Sequence, residues 1–167
     1  MIYIYNCFGG THTSALAAAY HLRKLPLDRV PSKAEILNTD AFNRLSPQER
    51  GKMVYHGDDG EGNKVYSVGR GNSKALIPAM RSVFRLFENN NKLEETVVFS
   101  NTSPTVPLVM TVGGFLSKAL KMDLIGVPLL VMGSKQAHYD IITLVEETVR
   151  AGKISSAKVV TLNNKHI

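Results

Sequence analysis

Apolar and polar positions alternate along the chain in patterns that predict its elements one by one. Ile2-Tyr3-Ile4-Tyr5 is a continuous apolar run of β-forming residues. Such a run suits a strand buried on both faces, as in the centre of a parallel sheet. Gly9-Gly10 break it. Thr11 or Thr13 then caps an alanine-rich helix with body Ser14–Leu25, and Pro26 stops that helix. Ser73–Asn89 places Leu76, Ile77, Met80, Val83, Phe84 and Phe87 at the three-four spacing of a buried stripe.

Between these segments the signals are shorter. Ser32 with Glu35, and Ser46 with Pro47 and Glu49, have the spacing of capping boxes and predict two short helices. Met53–Tyr55 and Val65–Val68 flank an Asp/Gly/Asn cluster and read as a β-hairpin. In the second half, strands are predicted over Thr96–Ser100, Val127–Met132 and Val159–Leu162. Helices are predicted over Pro104–Lys121, with Pro107 in its first turn, and over Ser134–Ala151, capped by Ser134 and ended by Gly152. Strands alternating with helices predict an α/β fold: a single three-layer domain over 1–167, with a mainly parallel sheet and an added β-hairpin.

Composition narrows the classes of function. A chain of 167 residues is long enough for one domain with its own core. No apolar segment reaches the ~18 residues of a membrane helix. The nearest, Pro104 to Gly133, is interrupted by Lys118, Lys121 and Asp123, so no membrane partner is expected. No basic region precedes the first apolar run, so no secretory signal is expected. The one cysteine cannot form an internal disulfide, which fits a reducing cytoplasm. The formal charge of +6 allows a nucleic-acid partner, but the basic residues are scattered and there is no Trp. A nucleic-acid role is therefore not expected, and the charge suits a phosphorylated or other anionic small molecule equally well. The five histidines show no metal-ligand spacing. The Asp58-to-Asn63 cluster lacks the closing Glu of a calcium loop. Nothing in the pattern names a cofactor.

Chemistry concentrates at the first turn, Cys7-Phe8-Gly9-Gly10-Thr11-His12-Thr13-Ser14. Ligands of open parallel α/β sheets bind outside the carboxyl ends of the strands. Glycines let a backbone approach a ligand closely, and a helix start offers unpaired N–H groups to an anion. Gly9, Gly10, Thr11, His12, Thr13 and Ser14 are thus candidate ligand-binding residues. Cys7 is the candidate catalytic nucleophile, since a helix N-terminus stabilises a thiolate. Neither a dinucleotide fingerprint nor a Walker A loop is present. Asn101 and Ser103 after one predicted strand, Lys135 after another, and Arg70 ahead of a helix complete the candidates, the last two as counter-charges for a phosphate.

The pattern Cys7-x-x-Gly10-x-x-Thr13-Ser14 resembles the phosphocysteine loop of sugar-phosphotransferase enzyme IIB. That resemblance implies that Cys7 accepts a phosphoryl group and that Gly10, Thr13 and Ser14 cradle it. It covers this turn alone. The low-molecular-weight tyrosine phosphatase loop is a second comparison, but Thr13 stands where that family has its phosphate-gripping Arg. No matching acid is found either, since Asp58 and Asp59 read as turn residues. Over its full length the chain resembles an uncharacterised family of small Firmicutes proteins, on GGTHTSALAAAYHL, PSKAEIL and GDDGEGNKVYSVGR in that order. This implies a bacterial cytoplasmic protein and transfers no activity.

Structural readings of the same residues stay open beside these. Cys7 can be a small core residue at a strand end, Gly9-Gly10 simply a turn, and Ser103 or Ser134 a helix cap. On those readings the protein is a non-catalytic regulatory or interaction domain with a protein partner.

Overall fold

The structure, a computed structural model, describes residues 1–167. Its elements are β1 (Ile2–Cys7), α1 (Thr13–His21), α2 (Lys33–Leu37), β2 (Met53–Asp58), β3 (Lys64–Gly69), α3 (Leu76–Asn89), β4 (Val97–Asn101), α4 (Leu108–Lys118), α5 (Asp123–Gln136), α6 (His138–Ile154) and β5 (Val159–Leu162). One five-stranded sheet runs in the order β2-β3-β1-β4-β5. β3, β1, β4 and β5 are parallel, and β2 returns antiparallel on β3 as the added hairpin. The α/β fold with a mainly parallel sheet is the one expected.

β1 lies at the centre, as its apolar run predicts. Its side chains alternate between two cores. Tyr3 and Tyr5 join Val65, Val98, Leu16 and Leu144 beneath α1 and α6. Ile4 joins Val68, Val97 and Phe99 on the opposite face, covered by Leu76, Ile77, Met80 and Phe84 of α3. The predicted stripe of α3 is therefore real but narrower than expected, because Val83 and Phe87 are exposed.

Three expectations need correction. Val127–Met132 is not a strand; it lies inside α5. A short apolar run cannot be told from a buried helical segment by periodicity alone. What decides here is the glycines. A Cβ on Gly113 of α4 would come within 2.8 Å of Leu130 N, one on Gly126 within 2.6 Å of Ser117 N, and one on Gly133 within 2.6 Å of Met110 Cβ. These glycines let α4 and α5 pack backbone to backbone, and that contact holds the segment helical. Ser134 accordingly caps nothing; it sits in α5 and donates to the Leu130 carbonyl at 2.8 Å. Gly152 does not end α6, which continues to Ile154. A Cβ there would meet the Tyr3 hydroxyl oxygen at 3.0 Å, so this glycine sets how closely α6 lies on the sheet.

The order of the strands places the site. From β1 the chain crosses to β3 on one side, and its next parallel strand, β4, lies on the other side of β1. This reversal opens a crevice outside the carboxyl ends of β1 and β4, where ligands of such sheets bind. Cys7 is the last residue of β1.

Candidate functional site

The turn after β1 is held down by glycines on two strands. Gly10 has φ +72°, and a Cβ on it would stand 2.4 Å from Gly69 N. A Cβ on Gly69, the last residue of β3, would stand 2.6 Å from the Gly9 carbonyl oxygen. No side chain fits between the two backbones. Their contact is closed by Arg70 N donating to the Cys7 carbonyl and Gly71 N to the Phe8 carbonyl, each at 2.9 Å. The same contact carries Arg70 to the loop.

The Cys7 side chain is buried at the start of α1. Its Sγ accepts the Gly10 N–H at 3.1 Å and shares a hydrogen bond with the Ser14 hydroxyl at 3.2 Å. The backbone N–H groups of Phe8, Gly9, Thr11 and His12 make no hydrogen bond within the chain. Gly10 N, bonded to the Cys7 sulfur, divides these amides, and Phe8 is exposed, but Thr11 is buried and Gly9 and His12 half-buried, where amides are nearly always paired. Unpaired amides beside a cavity are a place for an anion to bind.

Neither expected cap forms. His12 occupies the N-cap position of α1 without a side-chain cap bond. Thr13 instead shares a hydrogen bond with Thr102 at 2.9 Å, and Thr102 also donates to the Asn6 carbonyl, tying β1 to β4. Thr11 pins the segment after α2. Its hydroxyl donates to the Ala41 carbonyl and accepts from Arg44 N at 3.2 Å. Ala41 and Asn43 are held at φ +62° and +52° there, a region that costs an L-residue roughly 1–2 kcal/mol.

A cavity of about 510 Å³ opens above this turn. Cys7, Phe8, Gly9, Thr11, His12 and Thr13 form one part of its lining, and Leu45, Ser46, Pro47, Arg50, Arg70, Ser103, Val106 and one face of α4 form the rest. The charged side chains of the lining are Arg50, Arg70 and Lys118; it contains no Asp or Glu. Arg70 donates to the Ser103 hydroxyl at 3.0 Å. Arg50 stacks over the Phe8 ring, 4.6 Å from its centroid. Lys118 donates to the Asn43 carbonyl at 2.6 Å. Burial pushes its ammonium below the usual lysine range, against the pull of Asp123 and Glu49. Those two acids are engaged by Ser117 and Ser46. Burial also lowers His12 to about 4, despite its bond to Asn43, so its imidazole is neutral near pH 7.

The structure thus brings Cys7, Gly9, Thr11, His12, Thr13, Arg70 and Ser103 together on one cavity. Gly10 and Ser14 stand behind the Cys7 sulfur. Asn101 turns away, donating to the Asn163 carbonyl. Lys135 is exposed in the last turn of α5 and does not line the cavity. A strand over Val127–Met132 would bring it to the sheet edge; the helix that forms there does not. Gly69, Arg50, Lys118, Phe8 and Phe115 were not singled out from the sequence. Gly69 had a signal in its place within "VGRG", at the end of a strand, and Phe8 in its place beside Cys7; Arg50, Lys118 and Phe115 had none, since α4 and the 45–50 segment reach the cavity only through packing.

A family model described as "Protein of unknown function (DUF3189)" matches residues 2–150, and the chain belongs to that family. No curated protein and no solved structure matches it. No helix of the structure is long and apolar enough to cross a membrane.

Proposed function

We propose that this DUF3189 protein binds a phosphate-bearing or other anionic small ligand at the Cys7–Ser14 turn. The observation that carries this reading is the cavity lining: Cys7 and the loop residues Phe8, Gly9, Thr11 and His12, whose amides are unpartnered, line the same space as Arg50, Arg70 and Lys118, with no carboxylate among them. Arg70 supplies from β3 the guanidinium that the loop itself lacks, and a guanidinium fork matches a phosphate. The likeness of the loop to a phosphocysteine loop supports the further step of phosphoryl transfer to Cys7. In that step the Cys7 thiol gives up its proton to solvent, an S–P bond forms as the P–O bond of the donor breaks, and the electron pair leaves on the donor oxygen. No carboxyl group of the lining can protonate that oxygen, and His12 is neutral. A cytoplasmic location fits the free cysteine.

The test is thermal unfolding of the full chain with a panel of phosphorylated compounds. A ligand that binds only the folded state raises Tm by mass action. The expected result is a rise with phosphate-bearing ligands that disappears in Arg70→Ala. No shift with any compound of the panel overturns the reading. The rival reading, a non-catalytic interaction protein, draws support from the α4–α5 pair, where Leu108, Val112, Phe115 and Leu124 are exposed.

A further inference from the structure

The walls of the cavity differ from its floor. Beyond the turn they are formed by Phe8, Leu45, Pro47, Val106, Met110 and Phe115. Phe8 is 47% exposed and Phe115 59% exposed, so two aromatic rings stand in the lining with much of their surface open. Arg50 stacks on Phe8, which braces one ring and gives that wall a flat cationic face. A volume of about 510 Å³ exceeds what a bare phosphate fills, and lies within the roughly 300–1,000 Å³ of small-molecule sites.

Each hydroxyl group of the lining has a partner within the chain, although Ser103, which accepts from Arg70, keeps its own proton to donate. Thr11 bonds the Ala41 carbonyl, Thr13 bonds Thr102, Ser46 donates to Glu49, Ser103 accepts from Arg70, and Thr111 donates to the Pro107 carbonyl. A sugar whose hydroxyls lie beyond the turn and the cations would set them against these apolar walls. A ligand hydroxyl that meets the apolar walls is desolvated without return, a modest discrimination of up to about 10²-fold. A flat apolar body loses nothing there and gains area against the rings.

We infer that the ligand is a phosphate monoester of an aromatic alcohol, its phosphoryl head on the Cys7–Ser14 turn and its ring against Phe8 and Phe115. This rests on the reading of the turn as an anion site.

The experiment is calorimetric titration of the full chain with phenyl phosphate, ribose 5-phosphate and inorganic phosphate, repeated on Phe115→Ala. Phe115 is exposed on α4, and circular dichroism checks that the variant folds. Phenyl phosphate should bind at least about tenfold tighter than ribose 5-phosphate, an aromatic contact of the expected size. Phe115→Ala should remove most of that preference and leave inorganic phosphate unchanged. A peptide carrying phosphotyrosine separates a free aryl phosphate from one borne on a protein: tight binding of the peptide assigns the protein source, and binding of phenyl phosphate alone the free one. Equal or tighter binding of ribose 5-phosphate, or a preference that survives Phe115→Ala, overturns the inference while phosphate binding stands. If inorganic phosphate and both esters fail to bind, the anion site itself is lost.

Discussion

The two edges of the sheet are built of different groups and are satisfied to different degrees. At the amino-terminal edge Tyr5, His21 and Asp59 form a buried chain: the Tyr5 hydroxyl to His21 Nδ1 at 2.8 Å, and His21 Nε2 to Asp59 at 3.1 Å. Asp59 also accepts from Asn63 N, Asn63 Nδ2 and Glu61 N, each at 2.9 Å. Burial raises its carboxyl, but the hydrogen bonds from Asn63, His21 and Glu61 outweigh that and hold it well below the usual carboxylate range. Lys153 closes the edge on Glu61. At the carboxyl edge the loop amides have no partner, and Arg50, Arg70 and Lys118 face a cavity without an acid. A satisfied network ties a hairpin to a helix. An edge of unpaired amides and cations without an acid is where an anionic ligand can supply the missing partners.

The largest expected effect breaks the carboxyl edge outright. Gly10→Ala forces a side chain into the Gly69 backbone at positive φ and should cost about 3 kcal/mol or more of unfolding free energy. Urea titration measures it, and a loss under about 1 kcal/mol would show the Gly10–Gly69 contact to be slack.

Next come two substitutions that should separate the edges. Asp59→Asn should lower stability by about 1–3 kcal/mol, since it leaves His21 and the turn amides poorly paired, and should not alter phosphate binding. Arg70→Ala should do the reverse, with unfolding nearly unchanged and the phosphate-induced rise in Tm abolished. If Asp59→Asn weakens phosphate binding as much as Arg70→Ala, the edges are not independent.

Acid should act on both edges. His12 and His56 are each lowered by burial from 6.5 to about 4, and His21 is lowered by burial too. The unfolded chain therefore binds more protons than the native one between about pH 6.5 and 4. Stability should be full above this window and fall as pH drops through it. His56→Gln should flatten the fall as read by Tm against pH, because that side chain is buried against Ser67. An unchanged slope would assign the acid sensitivity elsewhere.

The smallest effect is kinetic. Alkylation of Cys7 by iodoacetamide should slow by about twofold or more when phosphate is present at its Kd or above, as occupancy of the site requires. An unchanged rate would place phosphate away from the sulfur.

Much of this was legible in the chain itself. The β1 run, the glycine turn, the alanine-rich α1, the hairpin and the Ser32–Glu35 capping box, which forms in full, are written in neighbouring residues. Each depends on local pattern and turn chemistry, and local pattern is what a sequence displays. The turn at Cys7 could be picked out because glycines, hydroxyls and a helix start stand within a few positions of one another.

The rest was decided by contacts between distant residues. The run Val127–Met132 is compatible with a strand until Gly113, Gly126 and Gly133 bring α4 against α5, and with that strand removed, Lys135 leaves the sheet edge. Gly69 matters because the last turn of β3 lies against Gly9 and Gly10, more than fifty positions away. Arg50 and Lys118 reach the cavity through segments whose own pattern is ordinary. Periodicity reports which face of an element is apolar, but not which element it meets. The sequence alone determined the strand, the turn and the helix that hold Cys7; only the packing of α4 and β3 around them decided which charges and rings share its space.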